Sequence, residues 1–137
     1  MPIKILRHHV RAFTGVAALY TFGLALPVTA VEDADFQFNT TQDLAALCSV
    51  VPGTPEYPMS HQACRAFIEA TLQYHDAVSK PNKLKRLVCY PPNTTIDDGV
   101  TAFNAWTKNH AGDIKWLAEP PVLGLIRALA AKYPCKG

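Results

Sequence analysis

An all-α fold is what the sequence predicts: a small four-helix bundle, five-helix if one more short helix forms, stapled by two disulfides after a cleaved signal peptide. Three observations predict it. Apolar residues recur at three- and four-residue spacings in four separate segments. Prolines and capping residues bound those segments. Four cysteines, Cys48, Cys64, Cys89 and Cys135, follow an export-type leader in a chain of 137 residues. No segment shows the sustained alternation of a strand, although LVCY, residues 87–90, suits a brief extended piece.

The leader comes first. Lys4, Arg7 and Arg11 precede an apolar run from Ala12 to Leu26, Pro27 breaks the run, and Val28 and Ala30 stand three and one positions before a cut after Ala30. The run is shorter than the roughly 20 residues a bilayer span needs. Cleavage and release to the periplasm or exterior are therefore expected, with no stable membrane insertion afterwards. The chain then divides into a signal peptide at 1–30, a flexible leader at 31–39 and one helical domain at 40–137. Loss of Lys4, Arg7 and Arg11 takes the formal charge from +2 to −1. A near-neutral domain lacks the basic excess that drives phosphate binding, which excludes nucleic acid as a partner.

Residues 31–38, VEDADFQF, are acidic and without period, with Phe36 and Phe38 placed to dock on the domain. The first helix is predicted at 41–49: Thr40 or Thr41 can cap it, Asp43 suits its first turn, and Leu44, Leu47 and Cys48 share a face. Three prolines and a glycine make residues 50–59 an irregular loop. Ser60 is then expected to cap a second helix from His61 to about Val78. Its buried stripe is Cys64, Phe67, Ile68, Thr71, Leu72, His75 and Val78, and Pro81 bounds it.

The basic piece NKLKRLVC allows another helical turn with Leu84, Leu87 and Val88 facing inward. Thr95, with Asp98 three positions on, marks the start of a third helix near Ile96. Its stripe is Ile96, Val100, Phe103 and Thr107, with Trp106 off that stripe, and it ends around Asn109 to Gly112. Pro120 and Pro121 open a fourth helix carrying Val122, Ile126, Leu129 and Tyr133, and Pro134 closes it beside Cys135.

Four cysteines allow three pairings. If the third and fourth helices form an antiparallel hairpin, Cys89 comes near Cys135, which leaves Cys48 with Cys64 across the proline-rich loop. Zinc would need close cysteine pairs, and the intervals here are 15, 24 and 45 residues. His61, three residues before Cys64, does not change that in an oxidising compartment. No metal and no cofactor are expected.

No catalytic residue is expected either. An even cysteine count leaves no free thiol for a nucleophile. His75 reads as a hydrogen-bonded core histidine, while His61 and His110 read as capping or solvated residues. Asp97 and Asp98 suit a first helical turn, and Glu69 with Asp76 reads as a solvated face. No serine elbow or phosphate-cradling glycine loop is present. The two NTT triplets at Asn39 and Asn93 read as loop and cap positions. What remains is surface: Glu56 and Tyr57 in the first loop, and His110, Asp113, Lys115, Trp116 and Glu119 in the connector before the fourth helix, are the candidate partner-binding residues. For Trp116, packing back onto the core is the alternative.

From Thr41 to Cys135 the chain resembles the small exported immunity proteins of type VI secretion, the Rap/Tai type. The resemblance rests on LAALC, on CRAFIEATLQY, on CYPPNTTIDDGV and, most specifically, on PPVLGLIRALAAKYPC. It departs from the family pattern where DDG follows the helix start and in the NKLKRL stretch. The resemblance implies an all-helical periplasmic domain, often a homodimer, that neutralises a peptidoglycan-amidase toxin by occluding its active site with protruding loops. It implies no enzyme. The alternative readings are a periplasmic acid-stress chaperone, which also uses few helices and a disulfide, and a structural envelope protein.

Overall fold

The computed structural model describes residues 30–79 and 84–136. The signal-peptide reading and the Pro81 boundary lie outside them, apart from Ala30. Five α-helices follow one 3-10 helix, and no β-strand forms among the described residues: α1 (Thr41–Cys48), α2 (Tyr57–Ser79), α3 (Ile96–Asn109), α4 (Ile114–Leu117) and α5 (Pro121–Lys132). None is long and apolar enough to cross a membrane.

Capping chemistry sets the helix starts. At α1 the Thr40 hydroxyl accepts from the Asp43 amide at 3.2 Å while Asp43 accepts from the Thr40 amide at 2.9 Å, a reciprocal capping box. Thr40 is therefore the cap. Thr41, one residue on, is fully buried, and its amide and hydroxyl both donate to the Glu119 carbonyl, at 2.7 and 3.0 Å. At the other end of α1 the Asn104 side-chain amide donates to the Cys48 carbonyl at 2.7 Å, satisfying a terminal acceptor. Thr95 and Asp98 repeat the capping box at α3, and Pro121 opens α5. Bonds from the Thr95 amide and hydroxyl hold the Asp98 carboxyl below its ordinary value.

The structure corrects several expectations. Residues Asp33–Gln37, read as without period, form a 3-10 helix opened by a Glu32 and Asp35 capping box, while Phe38 beyond it docks as expected, stacking on Phe67 with ring centres 5.0 Å apart. The second helix starts at Tyr57, not His61: Pro58 in the first turn needs no amide partner, so the proline-rich loop closes four residues sooner. Ser60 is consequently not a cap but a fully buried residue of α2. Residues 84–86 have no regular structure, and of the three expected inward side chains only Val88 is buried; Leu84 and Leu87 are more than half exposed. The extended character of LVCY is realised in one antiparallel bridge, Val88 to Pro134.

Trp106 belongs to the core rather than lying off the stripe, and α5 buries Pro121, Gly124, Leu125, Ala128 and Leu129 while Val122 is exposed. The buried face of α5 is thus turned by about one residue from the expected one. Gly124 explains the turn: a Cβ there would overlap the Thr41 side chain, so α5 faces α1 with its smallest residues.

α1 packs on α2, α3 and α5, and α3 packs on both α2 and α5, so the core centres on Leu44, Ile68, Phe103 and Leu125, all fully buried. Both predicted disulfides form: Cys48–Cys64 joins α1 to α2, and Cys89–Cys135 joins the segment before α3 to the end of the α5 segment.

Candidate functional site

The connector and the start of α2, where Glu56 and Tyr57 stand, lie at opposite ends of α3, although the first loop itself leaves α1 beside the last half of α3. The connector 110–120 follows the last turn of α3, whereas the start of α2 faces its first turn, where Arg65 and His61 approach Asp97. Fourteen residues of helix separate the two ends, about 20 Å. They do not form one site.

In the connector most candidates are spoken for. The His110 ring donates through Nδ1 to the Trp106 carbonyl at 2.7 Å, stacks on Trp106 with ring centres 4.4 Å apart and meets Trp116 at a tilt of 36° and 4.7 Å. Trp116 lies on Trp106 at 5.6 Å, with the Arg127 guanidinium also over its ring, so it does pack back on the core. Asp113 caps α4, and Glu119 holds Arg127 through paired bonds of 2.9 to 3.1 Å while its carbonyl receives Thr41. Free to meet a partner are Lys115 and the neighbouring Ile114, whose side chain is 80 % exposed. Sequence reasoning missed Ile114 because an apolar residue in a connector was not weighed as a contact.

In the first loop Glu56 is exposed, and Tyr57 is the first residue of α2, stacked on His61 at 4.9 Å. Val51 and Met59 are both largely exposed, and Met59 borders a shallow apolar groove with Phe36, Pro55 and Pro58.

A third feature was not anticipated. A cleft of about 250 Å³ opens between α2, α3, α5 and residues 88–95. At its edge His75, 7 % exposed, accepts the Leu87 amide on Nε2 at 3.2 Å, which leaves Nδ1 to donate to Asp76 at 3.2 Å. Asp76 also accepts from Arg86 at 2.7 Å and from the Tyr90 hydroxyl. Far from marking a solvated face, Asp76 ties the segment after α2 back onto that helix. Burial alone would raise its carboxyl, but Tyr90, His75 and Arg86 together hold it below the ordinary value. Tyr90 and Tyr133 are pushed up by burial and then by the charges of Asp76 and Asp98 respectively. A clue existed in the chain: His75, Asp76, Arg86 and Tyr90 all lie within fifteen residues of one another around the basic stretch.

Among the described residues no three His, Cys, Asp or Glu side chains converge as a metal set. Three surface features stand out: an apolar and basic edge on α4, a proline-framed face at the start of α2, and a cleft with a polar rim. Compared with known proteins, the chain matches the family model of the Rap1a immunity proteins over residues 40–135, well over half its length. No curated protein and no solved structure matches it.

Proposed function

The chain belongs to the Rap1a immunity proteins, an immunity family of type VI secretion, and from that premise we propose that it binds a peptidoglycan-amidase toxin in the periplasm and occludes its active site. The exposed flank of α4 carries this reading. Ile114 and Lys115 stand clear of a base that Thr41, the Trp106–His110–Trp116 stack and the Glu119–Arg127 pair fasten from three sides. A projecting element that is already rigid loses little conformational freedom on entering a groove. The two disulfides and the basic, apolar leader support an exported chain in an oxidising compartment. The exposed Tyr74, Leu84 and Leu87 on the far side provide apolar surface for a second copy, consistent with a homodimer whose mass sedimentation would report.

The test is coexpression and amidase inhibition with the toxin encoded beside this chain. Ile114→Asp with Lys115→Glu should weaken binding by at least about tenfold, the loss of one interface hot spot. Glu56→Lys with Met59→Asp, at the start of α2 towards the opposite end of α3, should leave binding within about threefold. Equal losses at both ends would assign the contact elsewhere. If the wild-type protein binds no neighbouring toxin and instead keeps unrelated proteins in solution at acid pH, the chaperone reading replaces this one.

A further inference from the structure

We infer that the cleft between α2, α3, α5 and residues 88–95 is a binding site for one alkylammonium or alkylguanidinium group carried on an aliphatic stem. The inference rests on the cleft alone and does not need the toxin reading. Its volume, about 250 Å³, is several times the roughly 30 Å³ that a water molecule occupies in the liquid, so a single long side chain fits. Leu72, Val88, Ile96 and Leu129 supply an apolar lining suited to methylene groups.

The charges select the head group. Among the described residues no lysine, arginine or histidine lines the cleft, and the nearby Arg86 is already held by Asp76, so an anion would find no free countercharge there. Two carboxylates do line it, and they differ. Asp76 is already matched by Arg86 and the Tyr90 hydroxyl. Glu69 is exposed, accepts only the Gln73 side-chain amide at 3.2 Å, and has no cation within ion-pair reach among the described residues. Among the described residues, then, one unmatched negative charge stands at the cleft beside an apolar lining. Tyr133 adds aromatic surface to the same lining, a phenol that attracts a cation while remaining uncharged at neutral pH, whereas the Tyr90 ring already has the Arg86 guanidinium over it at 5.4 Å. A monocation with a hydrocarbon stem satisfies each of these groups, whereas a second positive charge would have no partner.

The experiment is an amide NMR titration of the purified, oxidised protein with four probes: N-acetyl-lysine methylamide, N-acetyl-arginine methylamide, n-pentylamine as a free monoamine, and N-acetyl-norleucine methylamide as the uncharged control. The cationic probes should shift the Tyr90, Thr95, Gly99 and Tyr133 signals saturably, and norleucine should bind about fivefold more weakly, the value of one exposed ion pair. Glu69→Gln, at an exposed position where folding is not at risk, should bring the cationic probes down to the norleucine level with an unchanged unfolding temperature. Tighter binding of the lysine or arginine amide than of n-pentylamine identifies a polypeptide side chain as the ligand; the reverse order identifies a free amine. Equal binding of norleucine, retention of cation preference in Glu69→Gln, or no saturable shift with any probe overturns the assignment.

Discussion

The two disulfides hold unlike regions together. Cys48–Cys64 sits in the core, with Cys64 fully buried, and links two helices that already pack on one another. Cys89–Cys135 sits at the surface and links two stretches without helical structure, which otherwise share one β-bridge and the Cys89 amide bond to the Tyr133 carbonyl at 2.9 Å. Simple loop closure ranks them the other way: a 46-residue separation is worth about 4 kcal/mol and a 16-residue one about 3 kcal/mol. The difference teaches that chain entropy and packing weigh a crosslink separately. The inner bridge is part of the core as well as a tether, while the outer one is a clasp on a segment that can open by itself.

The largest expected effect tests the inner bridge. Cys48→Ala with Cys64→Ala should lower the stability of the oxidised protein by about 4–5 kcal/mol, the loop term plus a small cavity at two buried sulfurs, read by urea unfolding. Cys89→Ser with Cys135→Ser should cost less, about 2–3 kcal/mol, because the clasped segment detaches before the helices unfold and the full loop term is not recovered. A larger loss from the outer pair would break the comparison in favour of chain entropy. Mild thiol treatment followed by alkylation sharpens it: the outer pair should be labelled in the folded protein, the inner pair only after unfolding.

The smallest effect concerns pH. Asp76 has a folded value below its ordinary 3.8, so its contribution to holding the clasped segment is present above that value and is lost as pH falls through the lower folded one. Tyr90 runs oppositely: its folded value lies above 10.0, so its contribution is present below pH 10 and is lost as pH rises through the folded value. The Tyr90 ring signals should therefore change at both extremes before the α1 to α3 signals do. Asp76→Asn should abolish the acid step alone, and an unchanged acid step in that variant would remove Asp76 from the clasp.

The starts of α1, α3 and α5 and both cysteine pairings were legible in the sequence because capping and proline chemistry are local, and because one antiparallel pair of helices fixes where Cys89 and Cys135 meet; the start of α2 was not, because prolines that exclude a helix interior are tolerated in its first turn. The buried face of α5 was not. Gly124 and Ala128 are buried for their smallness against α1, a property of the neighbouring helix that apolar periodicity does not register. Leu84 and Leu87 were read inward from their chemistry alone, yet the His75 and Asp76 bonds to Leu87 and Arg86 set that segment's position instead. Of the candidate surface residues, His110, Asp113, Trp116 and Glu119 turned out to be engaged with their own fold, because polar and aromatic side chains that suit an interface suit a helix junction equally well.

Thr41 makes the α4–α5 junction measurable from a distance. Amides in the first turn of a helix ordinarily have no partner and trade their protons with solvent quickly. The Thr41 amide instead donates to a carbonyl 78 positions further along the chain, in a residue that is fully buried. It should be among the slowest protons in the molecule to exchange for deuterium. Since it opens only when α1 leaves the α4–α5 junction, its exchange rate is a one-signal clock for how firmly the projecting edge of α4 is seated, with or without a partner bound.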